Sequence, residues 1–93
     1  MIVGVMAWEL ALAGCQSLKD KRRIVKSLKD RLHQRFNVSA AEVDHQDVWQ
    51  RAALAVSVVT TDRRHAEEVL TSCDRLVQGE PLAHIIHAEA SYH

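Results

Sequence analysis

Apolar side chains occupy both alternating sets of positions at the start of the chain. Ile2, Met6, Trp8, Leu10 and Leu12 form one set, and Val3, Val5, Ala7 and Ala11 the other. A segment apolar on both faces predicts a long central strand over residues 1–13, and Gly14 ends it. Ser17-Leu18-Lys19-Asp20 has the form of a capping box with Asp in place of Glu or Gln, so a helix is predicted from near Leu18. Leu18, Ile24, Val25, Leu28, Leu32 and Phe36 then recur at helical spacing and make one apolar stripe, with the helix ending near Phe36-Asn37.

Val38 to Asp44 is short and β-prone, and His45-Gln46-Asp47 is a polar break before the apolar run Ala52 to Val59. The pattern predicts a hairpin joining a short strand to a long one. Thr60, Thr61 and Asp62 are N-cap candidates for a second helix whose apolar positions are Ala66, Val69, Leu70, Cys73, Leu76 and Val77. Gly79 and Pro81 stop it, and Leu82 to Tyr92 is a final strand. The order β-α-β-β-α-β has one simple compact solution. It is the α+β ferredoxin-like sandwich, with two helices on one face of a four-stranded antiparallel sheet and the other face open.

With 93 residues there is room for one core, so residues 1–93 form a single domain. An apolar share of 47% with 26% charged residues excludes a disordered or low-complexity chain. No apolar run approaches the length of a membrane helix, so no membrane role is expected. Leu12-Ala13-Gly14-Cys15 imitates a lipoprotein cleavage box. However, no Lys or Arg precedes it, Glu9 interrupts the apolar stretch, and cleavage would delete the first strand. Two cysteines, Cys15 and Cys73, have neither disulfide-framework nor zinc-ligand spacing, which points to a reduced, cytoplasmic setting.

Charge changes the picture most. Twelve basic and twelve acidic residues cancel overall, yet Ser17–Phe36 holds eight basic against two acidic residues. At 100° per residue Lys19, Arg23 and Lys26 face away from the apolar stripe, with Arg22 and Lys29 on one flank. Such a stripe suits a phosphate backbone, held by charge and counterion release without sequence preference, and no DNA specificity is expected. Lys and Arg are also ordinary residues on a solvated helix face. Of the four aromatics, Trp8, Phe36, Trp49 and Tyr92, none is placed on the open face of the central strands, so bases have no stacking platform there.

With Met6, Trp8, Leu10, Leu54, Val56 and Val58 inward, the open face shows Val3, Val5, Ala7 and Glu9 on the first strand. On the third it shows Arg51, Ala53, Ala55, Ser57 and Val59. A flat face of small apolar residues suggests burial against a second copy, a homodimer. A tight hairpin turn sets Glu42 directly across from Arg51, and both then join Ala53 and Ala55 on that dimer face.

Catalytic chemistry has thin support. Three glycines in no phosphate-loop pattern give no nucleotide motif, and no cofactor is expected. Asp44, His45 and Asp47 crowd one turn and have the side chains for a metal or for acid–base work, although loop Asp and His commonly supply local hydrogen bonds. His84 and His87, three apart on a strand, point to opposite faces, which argues against a shared metal. Cys15, just before a helix N-terminus, is placed for a lowered pKa. No catalytic or metal-binding residue is assigned.

Longer motifs are familiar. Ser17-Leu18-Lys19-Asp20-Lys21-Arg22-Arg23 with Lys26-Ser27-Leu28 is followed by Phe36-Asn37-Val38-Ser39. Then come Ala41-Glu42-Val43-Asp44-His45-Gln46-Asp47 and Trp49-Gln50-Arg51-Ala52. Together they resemble the YlxP-like family of small bacterial proteins, a domain of unknown function with a ferredoxin-like fold. Genes of that family often lie near those for translation initiation factor two and a ribosome maturation factor. The resemblance implies a bacterial cytosolic protein connected with ribosomal RNA or the ribosome, and implies no catalytic residues.

Overall fold

The computed structural model describes residues 1–93. Six elements follow in order: β1 (Ile2–Ala11), α1 (Leu18–Arg35), β2 (Ser39–Asp44), β3 (Arg51–Thr60), α2 (Arg63–Gln78) and β4 (His84–Tyr92). The strands form one sheet in the order β2-β3-β1-β4, every neighbouring pair antiparallel. This is the ferredoxin-like arrangement that the element order predicts. No helix is long and apolar enough to cross a membrane.

Local chemistry explains both helix starts. The Ser17 hydroxyl accepts the Asp20 N–H at 3.1 Å, and the Asp20 carboxylate accepts the Gln16 N–H at 3.1 Å, one residue before the donor a full capping box uses. Of the three N-cap candidates for α2, Asp62 takes the role and accepts the Arg64 N–H at 3.0 Å. The core lies between the helices and one sheet face, with Trp8, Leu10, Leu12, Leu28, Leu32, Leu54 and Leu70 essentially sealed from water. Gly4 lets α2 come close to β1, since a Cβ there would sit 3.2 Å from Leu70 Cδ1 and from Val58 Cγ1.

Two expectations about register fail, each for a local reason. Glu42 faces Leu54, not Arg51, because the β2–β3 connection is wider than a tight turn and β2 bulges between Glu42 and Asp44. His45 starts that connection with a left-handed backbone, φ 63°. The shift is odd in residue number, so it turns Glu42 from the open face to the helix face. Glu42 therefore drops out of the expected dimer face. The second failure concerns His84 and His87, which pair with Ala11 and Glu9, residues on one face of β1. A bulge where Glu9 passes to Leu10 adds a residue to β4 and brings the two histidines to the same side.

Candidate nucleic-acid interface

The apolar stripe of α1 buries Val25, Leu28 and Leu32. That orientation leaves Lys19, Arg22, Arg23 and Lys26 exposed and Lys29 half-exposed, the five cations picked from the sequence. Their electrostatic setting is uneven. Lys26 Nζ lies 2.7 Å from Asp30 Oδ2, a solvent-exposed i,i+4 pair. Its hydrogen bond holds the Asp30 carboxyl below its ordinary pKa, helped by the charges of Lys26, His33 and Lys29. Lys19, Arg22, Arg23 and Lys29 have no carboxylate within ion-pair distance. Between α1 and β2 runs an open groove of about 390 Å³ lined by Arg22, Lys26, Lys29 and His33, with Asp30 and Glu42 as its acidic members.

Lys21 behaves differently from every other cation of the helix. Its side chain is 1% exposed, with Nζ 2.8 Å from Glu42 Oε2 and donating to the His45 carbonyl oxygen. Glu42 Oε2 is itself buried and meets the ammonium off the hydrogen-bonding direction, so this contact is an ion pair without an aligned hydrogen bond. The pair ties α1 to β2 and to the turn beyond it. Sequence reasoning gave Lys21 no role beyond the count of basic residues, but the signal was present: Lys21 lies three residues after Leu18 and four before Val25, on the apolar stripe. Arg31 is also spoken for, by Glu80 just beyond the C-cap of α2.

The Asp44, His45 and Asp47 group is not brought together as a site. Asp44 Oδ1 accepts the His45 N–H at 2.8 Å, an ordinary turn contact. The His45 ring turns to β1, its Nε2 3.1 Å from Glu9 Oε1, and Arg51 reaches the other Glu9 oxygen at 3.1 Å. Hydrogen bonds from His45 first and Arg51 second hold the Glu9 carboxyl below its ordinary pKa. Arg51 thus has a partner, but it is Glu9. No three metal-ligating side chains gather anywhere in the chain.

Cys15 is buried, and burial, aided by the Asp20 charge, pushes its thiol up, opposite to the lowering expected at a helix start. The Cys73 thiol is pushed up to about 11 by burial alone. Neither is an activated thiol.

On the open sheet face Val3, Val5, Ala7 and Ala55 are partly covered, while Ala53 is already buried at 7% exposure within one chain. Polar groups enclose this patch, with Glu9, His45 and Arg51 at one end and His87 and Glu89 along β4. Trp8 is internal, its Nε1 donating to Asp74 Oδ1 at 2.8 Å, and Trp49 is half-exposed in the β2–β3 connection. The central strands carry no exposed aromatic.

These features define a ferredoxin-like α+β protein with one strongly basic helix. A protein-family model described as "Protein of unknown function (DUF503)" matches residues 3–90, and the chain belongs to that family. It is 33% identical over 69 residues to the uncharacterized protein YlxP of Bacillus subtilis (strain 168), covering 74% of this chain and 75% of that one. The solution NMR structure of a de novo designed protein with ferredoxin fold, LFR1 1, superposes with a TM-score of 0.55. That match covers 97% of this chain and 84% of the design at 15% identity, a likeness of fold alone. A C-terminal segment of the alpha subunit of aIF2 from Pyrococcus abyssi covers 99% of this chain and 48% of that one at 14% identity. Its TM-score of 0.47 is too low to carry an argument.

Proposed function

We propose that this is a non-enzymatic bacterial cytosolic factor that contacts structured RNA, ribosomal RNA first among candidates, through the outer face of α1. One observation carries the reading. Six of the twelve Lys and Arg side chains lack a carboxylate partner, and five of them, Lys19, Arg22, Arg23, Lys29 and Arg35, are on or at the end of α1. Cations without a carboxylate partner on the solvent side of one helix are available to phosphates and release counterions when they bind them. The lack of exposed aromatics on the central strands supports contact with the backbone over base stacking. The YlxP-like gene neighbourhood noted above agrees with a role near translation.

Filter binding of the purified protein to structured ribosomal RNA tests this. Retention is expected at about 50 mM salt and should fall steeply by about 200 mM, as contacts with several phosphates require. The double change Arg22→Glu, Arg23→Glu should abolish retention, while Arg63→Glu, Arg64→Glu on α2 should leave it in place. No retention at the lower salt overturns the reading. Equal loss from both double changes would overturn the assignment to α1.

A further inference from the structure

The two edges of the sheet are finished differently. Ala40 on β2 points its N–H away from β3, and His33 Nε2 accepts it at 3.2 Å. A turn later the His45 carbonyl receives Lys21. Side chains of α1 therefore close the β2 edge, one of the ways proteins prevent unwanted strand pairing. On the opposite edge, Val3 and His93 exchange both backbone hydrogen bonds at 2.9 Å, which sets the phase of the β1–β4 ladder. By alternation Ser91, Glu89 and His87 bond toward β1, while Tyr92, Ala90 and Ala88 direct their N–H and C=O groups outward. Ala88 and Ala90 are exposed and carry no side chain large enough to shield those groups. No Lys, Arg or Pro interrupts His84–Tyr92, and the bulge at Ile86 lies ahead of the regularly paired stretch His87–Tyr92.

From this we infer that β4 is the docking edge for a second copy of this chain, with the two β4 strands antiparallel about a two-fold axis through Ala88. The register follows from charge and size. An axis at Ala88 sets His87 opposite the partner's Glu89, and by symmetry Glu89 opposite the partner's His87, on the open face of the joined sheet. Moving the axis to Glu89 would set two carboxylates against each other. On the helix face Ala88 meets its own mate on the axis, and a methyl is small enough to let the two strands approach there. His87 Nε2 lies only 3.8 Å from Glu89 Oε2 within one chain, both well exposed, so either group is free to turn to the opposite strand. The product is a continuous eight-stranded sheet with order β2-β3-β1-β4 mirrored by its partner. It leaves both α1 surfaces uncovered, because α1 packs at the β2 end. This interface differs from the open-face dimer expected from the sequence and does not depend on the RNA reading.

Sedimentation of the unmodified protein at roughly 100 μM should give a dimer, and a monomer at that concentration overturns the inference. Ala88→Cys places two thiols on the axis. The Cα atoms of a hydrogen-bonded antiparallel pair lie about 5.5 Å apart, inside disulfide reach, so oxidation should yield a disulfide-linked dimer. Native Cys15 and Cys73 are buried and do not compete. Ala90→Cys should stay largely uncrosslinked, because its symmetry mate is several residues along the strand, and so should Ala55→Cys on the open face. Crosslinking through Ala55→Cys in place of Ala88→Cys would assign the dimer to the open face, and through Ala90→Cys alone would refute the register. Ala88→Pro removes only an outward N–H, so it should sediment as a monomer with an unchanged circular dichroism spectrum. A Pro variant that stays dimeric overturns the inference.

Discussion

The two helices lie on the same sheet face and treat charge in opposite ways. On α2, Arg63 and Arg64 each meet a glutamate four residues on, at 3.2 and 3.6 Å, and the buried face is Ala66, Leu70, Cys73, Leu76 and Val77. On α1 only Lys26 has such a partner, five cations have no carboxylate partner at all, and the buried face includes a lysine. Like charges three and four residues apart destabilise a helix by about 0.2–0.5 kcal/mol per pair. Removing an ammonium from water costs several kcal/mol before its partner offsets it. Residues of α2 are therefore arranged for stability, whereas α1 keeps charge that stability alone would not select. That charge pattern is the one on which the proposed RNA contact rests.

The largest expected effect probes the buried charge of α1. Lys21→Ala leaves Glu42 without its cation and should cost about 3 kcal/mol by urea unfolding. That is the lower end of the usual cost for breaking a buried pair, because the Glu42 side chain keeps 17% of its surface and opens on the groove. Lys21→Met with Glu42→Leu should be neutral or stabilising, since neither charge is then stranded. If the double change costs as much as Lys21→Ala, packing and not charge decides the site. On α2, Leu70→Ala should cost roughly 2–5 kcal/mol, because its side chain fills the space against Gly4 and is 1% exposed. A loss below that range would break the claim that α2 is the stability helix.

Smaller effects sharpen the contrast. Loss of either cap, Ser17→Ala on α1 or Asp62→Ala on α2, should cost about 1 kcal/mol, read as a shift in the urea midpoint. Arg22→Glu, four residues before Lys26, should raise stability by about 0.2–0.5 kcal/mol, whereas Arg64→Glu, facing Glu68, should lower it by a similar amount. Opposite signs are the expected outcome, and equal signs would remove the difference between the two surfaces. The turn that receives Lys21 gives an acid-range test. Glu9 titrates below its ordinary value of 4.5, so its contribution is complete above that pH and is lost as pH falls through its lower folded value. Glu9→Gln should lower stability slightly at neutral pH and flatten its fall below about pH 4.5.

Period and punctuation made most of the fold legible. Double-sided apolarity put β1 in the middle of the sheet, the 3.6-residue stripe oriented α1, and Asp62 and Gly79 bounded α2. These signals are local, and each side chain's exposure repeats the same message along its element. The five surface cations of α1 were legible for that reason, since helix geometry and one apolar stripe determine which side chains remain outside.

Four features depended on contacts between distant segments. The partner of Glu42 depends on a bulge and on the left-handed backbone of His45, neither of which has a distinctive residue such as glycine to announce it. A shift of three residues then exchanged an open-face pair with Arg51 for a buried pair with Lys21. The facing of His84 and His87 turned on one extra residue in β4, which periodicity alone has no means to count. Cys15 looked like an activated thiol beside a helix start until packing around it made desolvation the larger effect. The fourth is the unequal finish of the two sheet edges, which arises because α1 packs beside β2 and its His33 and Lys21 reach across. Sequence by itself determined the elements, their faces and the basic surface, because those follow from the period of one segment. Tertiary structure alone decided which charges are paired and which edge is free, because a pair needs two segments and its energy depends on the water that packing removes.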